Sequence, residues 1–577
     1  MKLRDLLMFK NSDELLELVR LLGGGSAIRR KAERVDYIEK RMLDPDSLYG
    51  IWHELDAISR RAVSAAYHRG GEFSPQAFVA QYGQLPERFD GERTWFYRAP
   101  ILLDLFVIGD QIPDDMMPLL EKLVLPLEPF RLEGTADVPS AVKLDDQTRS
   151  VTIVETETNG RSDLLTYLQL LDRNKLKFGT QTRRLTDTSL RTVLANLVSG
   201  DYRDPPQKAT SRTTIRPTGL EVFTQESGLV SRYGALTKSG RDYLRTQDPE
   251  LLLVAFETWT DAGEFDELRR ITSLKGLNSK NTRLTPPASR RDKVIEALSW
   301  CPAGRWIDIG SFYRALLIWD LDFEVEENPY SNLTVGAGYY AESLRGGDYW
   351  LIAHGLYVNV VIWEYLATIG AVDIAFLTEE YVELLDDYYM DFDEPFSLYD
   401  GLLYFRINPW GAYLLGLADE YVPSEPVDND LFTIDRNQKL TFFKSPAPNV
   451  RLQMELIAKP VDDLHYQLDQ VKLLDAVEDG RNIDHITEFL RENHSGELPA
   501  EISAWLSTLK QNLGAFSHKG DAVLVRVKPA EVMRIVEGDD VLAKVSQPLD
   551  NNTLLVLSGN LSRFKNRLKT LGYLLKK

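Results

Sequence analysis

A chain of 577 residues has material for roughly three to five domains, and its 44% hydrophobic content can build several cores. Its 87 acids against 67 bases leave a net charge of −20, which disfavours nonspecific phosphate binding by the whole surface, so any nucleic-acid contact must be local. Cys301 is the only cysteine, which excludes an internal disulfide and a cysteine-based zinc site and fits a reduced, cytoplasmic setting.

The N-terminus, MKLRDLLMFKNSDELLELVRLL, is charged and amphipathic, without the apolar core of a signal peptide. Asn11 and Glu14 have capping-box spacing, and Leu15, Leu16, Leu18, Val19 and Leu22 then form an apolar stripe. Gly23 to Gly25 stop that helix. Ser26 can cap the next, which turns Ile28, Val35, Ile38 and Met42 inward. Helical patterning continues to about Leu125, predicting an N-terminal helical, winged-helix-like domain over 1–135.

The polar stretch 136–149 reads as a linker, 151–154 as a strand, and 164–171 and 188–197 as helices. Gly228-Leu-Val, followed by Ala235 to Leu244 with Gly240 in a tight turn, has the strand–turn–helix order that commonly closes the wing of a winged helix. The phrase recurs in outline at Phe405 to Gly416, around Gly411. Between the two copies, 293–298, 309–318 and 348–376 read as helices. Two further winged-helix-like domains are therefore predicted, over 140–265 and 285–422.

The second of these carries an acidic face: Asp373 to Asp400 holds ten carboxylates and no base. Its residues Glu379, Glu380, Asp386, Asp387, Asp391 and Asp393 are the candidates for docking a basic partner, against the alternative of a solvated face. A boundary follows at 423–430. The last domain, 430–577, begins with amphipathic helices at 473–477, 483–490 and 502–509. It continues as strand 523–527, helix 530–536, strands 541–545 and 553–557, helix 561–571 and a terminal segment 573–575, the ferredoxin-like β-α-β-β-α-β order. The predicted class is mainly α with small β (α+β). The longest uncharged apolar run, Trp350 to Trp363, has fourteen residues, short of the about 18 that a membrane span needs, so no membrane contact is expected.

Several of these phrases together resemble a known family. The run Leu164 to Lys177 (LLTYLQLLDRNKLK), the phrase Ala235 to Leu244 and Pro286 to Arg291 (PPASRR) are similar to bacterial and archaeal helicase-associated proteins that resemble the N-terminal region of XPB-type helicases. Cys301 to Trp306, Leu366 to Asp373 and Phe405 to Leu415 continue the resemblance, as do Tyr466, Leu468, Ala476, Gly480, Phe489-Leu490 and Leu498-Pro499. It implies winged-helix modules that accompany a superfamily 2 helicase motor and engage DNA or partner proteins. The motor itself is missing: no G-x-x-x-x-G-K-[ST] occurs, and no acidic box follows a strand, so no ATP hydrolysis is expected.

Other motifs point to little chemistry. Gly336 to Ala341 formally matches a dinucleotide fingerprint but lacks its buried strand and long helix, and reads as a loop. Gly23 to Ala27 with Arg29 and Arg30 could cradle a phosphate, though a helix–helix turn is the plainer reading. The seven histidines show no ligand spacing, and the alternating Asp320, Asp322, Glu324 and Glu326 read as a solvated edge rather than a cation site. Without a nucleophile, an acid–base pair, a metal site or a cofactor motif, the chain is not expected to be an enzyme.

The functional weight falls on two basic zones. From Arg269 to Lys293, eight bases (Arg269, Arg270, Lys275, Lys280, Arg283, Arg290, Arg291 and Lys293) face one acid, Asp292, for a net +7. Pro286 and Pro287 forbid a continuous helix there, so the stretch reads as a cationic connector between modules. In the other zone, Arg183, Arg184 and Arg191 surround a candidate recognition helix. The expectation is a non-catalytic multi-winged-helix protein that binds DNA and a separately encoded helicase or nuclease, in DNA repair or antiviral defence. The alternative is an interaction scaffold or transcription regulator that makes no direct DNA contact through the connector.

Overall fold

The computed structural model of the chain describes all residues except 26, 87–99, 145–146, 207, 328–332, 336–341, 344–349, 379–395, 425–429, 517, 519, 530 and 577. It is about 46% helical and 14% strand, so the chain is mixed α+β. It divides into two compact units: residues 1–429 with 442–476, and residues 430–441 with 477–577. No helix among the described residues is long and apolar enough to cross a membrane.

The first unit opens with six helices, Leu3–Phe9, Ser12–Leu21, Lys31–Met42, Pro45–Glu54, Ala57–His68 and Pro75–Tyr82, around a core that includes Leu15, Val19, Val35, Ile38, Met42 and Phe106. The Asn11 side chain accepts the N–H groups of Asp13 and Glu14, two of the orphan donors at the start of its helix. The glycine turn that follows is a packing device. A Cβ on Gly24 would collide with Val19 and Tyr37, so only glycine lets the two helices close.

Residues 132–452 share one hydrophobic core, so the predicted modules 140–265 and 285–422 are built around common packing. The strand expected at 151–154 forms as part of Gln147–Val154, and the preceding stretch read as a linker supplies its hairpin partner, strand Ala141–Leu144. These edge a five-stranded antiparallel sheet continued by Val372–Leu377, Leu402–Ile407 and Trp306–Asp308, in that spatial order. The predicted helix over 348–376 ends early. Helical segments Trp350–Gly355, Leu356–Val360 and Val361–Ala367 run on from one another, the outer two wound with the wider π turn. Gly370, at φ +85°, then turns the chain into the fully buried strand Val372–Leu377. An apolar run of this kind has the same pattern as a buried helix, and the positive-φ glycine decides between them.

Two stretches of this core repeat one local design. The helix Arg216–Glu226 is followed by Gly228 at φ +75°, a bridge between Val230 and Leu236, and the helix Lys238–Thr246. The 350–367 helical run is followed by Gly370, the strand pair 372–377 and 402–407, and the helix Pro409–Leu414. Thr237 caps one terminal helix by accepting the Gly240 N–H at 3.1 Å, and Asn408 caps the other by accepting the Gly411 N–H at 3.0 Å. A Cβ on Gly240 would strike the Leu229 carbonyl, and one on Gly411 the Ala371 carbonyl. Leu229 and Ala371 each directly follow the positive-φ glycine, so the recurrence seen in the sequence extends to which backbone oxygen touches which glycine.

The longer helices of the two stretches pack on each other. A Cβ on Gly219 would run into the carbonyl of Glu364. Every residue from Arg216 to Thr224 is buried, and so is every residue from Leu356 to Ala367.

In the second unit, strands Ala522–Arg526, Gln547–Asp550 and Thr553–Leu557 form an antiparallel sheet with 553–557 in the middle. Helices Glu531–Gly538 and Leu561–Thr570 complete a core of Val525, Met533, Leu554, Val556 and Phe564. Two expectations are corrected here. Residues 541–545 do not form a strand: Asp539 accepts the N–H groups of Val541 and Leu542 at 3.0 Å and starts the short helix Leu542–Val545, displacing the strand to 547–550. Residues 573–575 form no strand.

Candidate nucleic-acid interface

The connector's arginines go inward. Arg290 and Arg291 lie in the helix Pro287–Ser299, and both side chains are 0% exposed. Arg291 donates from Nε to Glu267 at 3.0 Å, doubles that contact through Nη2, and caps the carbonyls of Trp259 and Ala262 through Nη1. Its guanidinium lies 4.6 Å from the Trp259 ring. The other oxygen of Glu267 accepts the Tyr357 hydroxyl at 3.2 Å. Arg290 bonds Asp266 at 2.9 Å and the Thr285 carbonyl at 3.1 Å. Arg270 bonds Glu364 at 2.6 Å, Tyr399 at 3.0 Å, and the carbonyls of Ser211 and Thr214 at 2.5 and 2.8 Å.

Arg270, Arg290 and Arg291 are therefore corrected from DNA contacts to internal ties. The physical reason is the guanidinium's rigid fork of five donors, which can satisfy a buried carboxylate and orphaned helix-end carbonyls together. What remains exposed of the connector is Arg269, Lys275, Lys280 and Arg283. Lys275 donates to the Thr272 carbonyl at 2.7 Å, and the half-exposed Lys293 sits 3.8 Å from Glu296.

The second zone divides differently. Arg184 is held between Glu221, 3.8 Å away, and the face of Phe265. Glu221 accepts the Leu185 N–H at 2.9 Å, and burial pushes its carboxyl up to about 7 despite Arg184. Arg191 is exposed on the helix Asp187–Leu194. Arg183 is exposed too, and its guanidinium sits 5.4 Å from the centre of the Tyr233 ring.

Tyr233 occupies the tip of the 231–235 hairpin, which is closed by the Ser231 N–H to Ala235 carbonyl bond at 2.8 Å, and it is 75% exposed. Gly234 takes φ +79° there with the Phe178 ring packed where a Cβ would sit, so the tip is held against the body. Arg232 pairs with Glu264. Arg183, Arg184 and Arg232 line an open pocket of about 400 Å³ together with Gln225, Glu226 and Glu264.

The helix that follows the hairpin carries cations the sequence reading passed over. Lys238, Arg241 and Arg245 are all exposed, at the i, i+3, i+7 spacing of one helical face, while Gly240 and Tyr243 turn inward. Arg241 donates to the Leu236 carbonyl at 2.7 Å, tying that face to the hairpin. The signal was present in KSGRDYLR: three bases at that spacing directly after a wing-like turn.

The remaining candidates disperse. Asp320 pairs with Arg69 at 3.1 Å, Asp322 accepts the Trp350 indole N–H at 2.8 Å, and Glu326 is buried. His354 is buried, stacks on Trp350, and has its pKa lowered by burial. Cys301 is buried with its thiol donating to the Ala297 carbonyl at 3.3 Å, and burial pushes its pKa far up. Among the described residues no three His, Cys, Asp or Glu side chains gather as a metal site. The acidic docking candidates Glu379, Glu380, Asp386, Asp387, Asp391 and Asp393 lie outside the described residues, as do Ser26 and the 336–341 loop. Compared with known proteins, the chain matches no family model and no curated protein.

Proposed function

We propose that the chain is a non-catalytic DNA- and partner-binding protein built from winged-helix modules and accessory to a separately encoded helicase or nuclease in DNA repair or antiviral defence. In this reading it meets DNA through the 231–235 hairpin and the helix Lys238–Thr246. The observation that carries it is the exposed set Arg183, Arg232, Tyr233, Lys238, Arg241 and Arg245 on a chain of net charge −20.

Topology supports the module type. Apart from the two-residue strands 334–335 and 342–343, which join 274–275 in a separate sheet, residues 287–407 run helix, strand, helix, helix, strand, strand, with the 306–308 strand beside 402–407 and that beside 372–377, a winged-helix order. The 522–570 sheet order supports a ferredoxin-like unit short of its fourth strand. In a winged helix the third helix enters the major groove. Here the helices in that position, 216–226 and 350–367, are buried against each other, which leaves the wing side for DNA.

The triple variant Lys238→Glu, Arg241→Glu, Arg245→Glu tests this. DNA affinity should fall, and the log–log salt slope should flatten by roughly two to three, about one per lost phosphate contact. Unchanged titrations would remove DNA from this face. The internal use of Arg270, Arg290 and Arg291 favours a second reading, a protein-interaction scaffold with a structural connector. A stable co-purifying protein with no retarded DNA species at low salt would select it.

A further inference from the structure

We infer that Tyr233 and the pocket next to it together hold one nucleotide of single-stranded DNA, with the base stacked on Tyr233 outside the pocket and the phosphate inside it between Arg183 and Arg232. The inference rests on the DNA-binding reading above and narrows it to a strand type and a register.

Three observations carry it. The first is that helical readout of duplex DNA is closed off at the two helices in the recognition position, since every residue of 216–224 and of 356–367 is buried. The second is an aromatic platform. Arg183 covers one face of the Tyr233 ring, and 75% exposure leaves the other face in water, where a base can stack without sequence selection. The platform is preorganised, because Gly234 is locked against Phe178 and the hairpin is closed by the Ser231–Ala235 bond.

The third is the pocket itself. Its volume of about 400 Å³ lies at the small end of the roughly 300–1,000 Å³ range of ligand pockets, and three arginines approach it from two chain segments, Arg183 and Arg184 from one and Arg232 from the other. Glu264 pairs with Arg232. Both side chains of that pair are more than half exposed, at 59% and 53%, so water screens the pair, and a phosphate, which offers a guanidinium two oxygens, can take Glu264's place. Glu226 accepts the Glu264 backbone N–H at 3.2 Å and so steadies that turn at the pocket's rim. Glu264 is then a competitor for the phosphate position, which gives the site a signature that general electrostatic attraction lacks.

The test is fluorescence anisotropy on the full chain with three labelled ligands: oligothymidylate, an abasic strand of equal length, and a duplex. Oligothymidylate should bind tighter than the duplex. Tyr233→Ala should weaken oligothymidylate by roughly 5- to 150-fold, the change that about 1–3 kcal/mol of base stacking corresponds to, while leaving the abasic strand unaffected. Tyr233→Phe should retain the affinity, since stacking needs the ring and not the hydroxyl. Glu264→Gln should tighten every single strand by freeing Arg232.

Equal affinity for strand and duplex, with Tyr233→Ala neutral on oligothymidylate, would overturn the inference and leave the DNA-binding reading standing. Loosened binding in Glu264→Gln would overturn the phosphate register in the same way. No binding of any ligand at low salt would remove both. Tyr233 and Glu264 lie at the surface, so neither substitution endangers the fold.

Discussion

Two arginine-rich stretches of this chain look alike on paper and do opposite things. In 269–293, Arg270, Arg290 and Arg291 are drawn into the core, each onto a carboxylate and at least one backbone carbonyl. In 232–245, Arg232, Arg241 and Arg245 stay in water, with pairings confined to the surface. Net charge along the sequence therefore did not tell which of these arginines face solvent. The useful signal was periodicity: 238, 241 and 245 share a helix face with no apolar residue on it, whereas Arg290 and Arg291 sit beside Val294, Ala297 and Leu298 on a helix whose core side they join.

The largest expected effect breaks the buried side of that contrast. Arg291→Met should lower unfolding free energy by about 3–5 kcal/mol in urea titrations, because Glu267 is left charged and buried without its partner. Replacing both members together, Arg291→Met with Glu267→Leu, should lose much less, since two desolvated charges leave with their mutual attraction. If the single and double variants are equally unstable, the tie is not electrostatic.

Next in size is the crossing of the two buried helices. Gly219→Ala should cost about 1–3 kcal/mol, as the added methyl meets the Glu364 backbone and neither helix can give way without shifting. Wild-type stability would mean that the helices are not fixed there.

The third effect is pH-dependent. Burial raises Glu364 to about 7 from the ordinary 4.5, ahead of the lowering by Arg270. A folded-state pKa above the unfolded one means that the folded chain binds the extra proton, so this contribution to stability is fully present below pH 4.5 and is lost as pH rises to about 7. Glu221 follows the same course. In Glu364→Gln, urea midpoints should vary less with pH across that window. An unaltered profile would show that Glu364 stays ionised in the folded chain.

The smallest effect sharpens the exposed side. Lys275→Glu, Lys280→Glu and Arg283→Glu should each change stability by no more than about 0.5 kcal/mol, in contrast to their buried neighbours. A larger loss in any one would reveal a tie of the Arg291 kind.

Much of the local structure was legible in the sequence because its causes are local. Asn11 caps its helix, the wing-like phrase at Gly240 recurs at Gly411, and the second unit alternates strand and helix, since each depends on side chains within a few residues. The misreadings arose where a short apolar or polar run fits more than one backbone: 372–377, 541–545 and the strand 141–144. Which arginines face solvent could not be read locally at all. Arg270 meets Glu364 across 94 residues and Arg291 meets Glu267 across 24, and a guanidinium goes inward only where the folded chain brings it a carboxylate and unpaired carbonyls. The sequence by itself determined the elements and their caps. Only the tertiary structure decided where the charge lies.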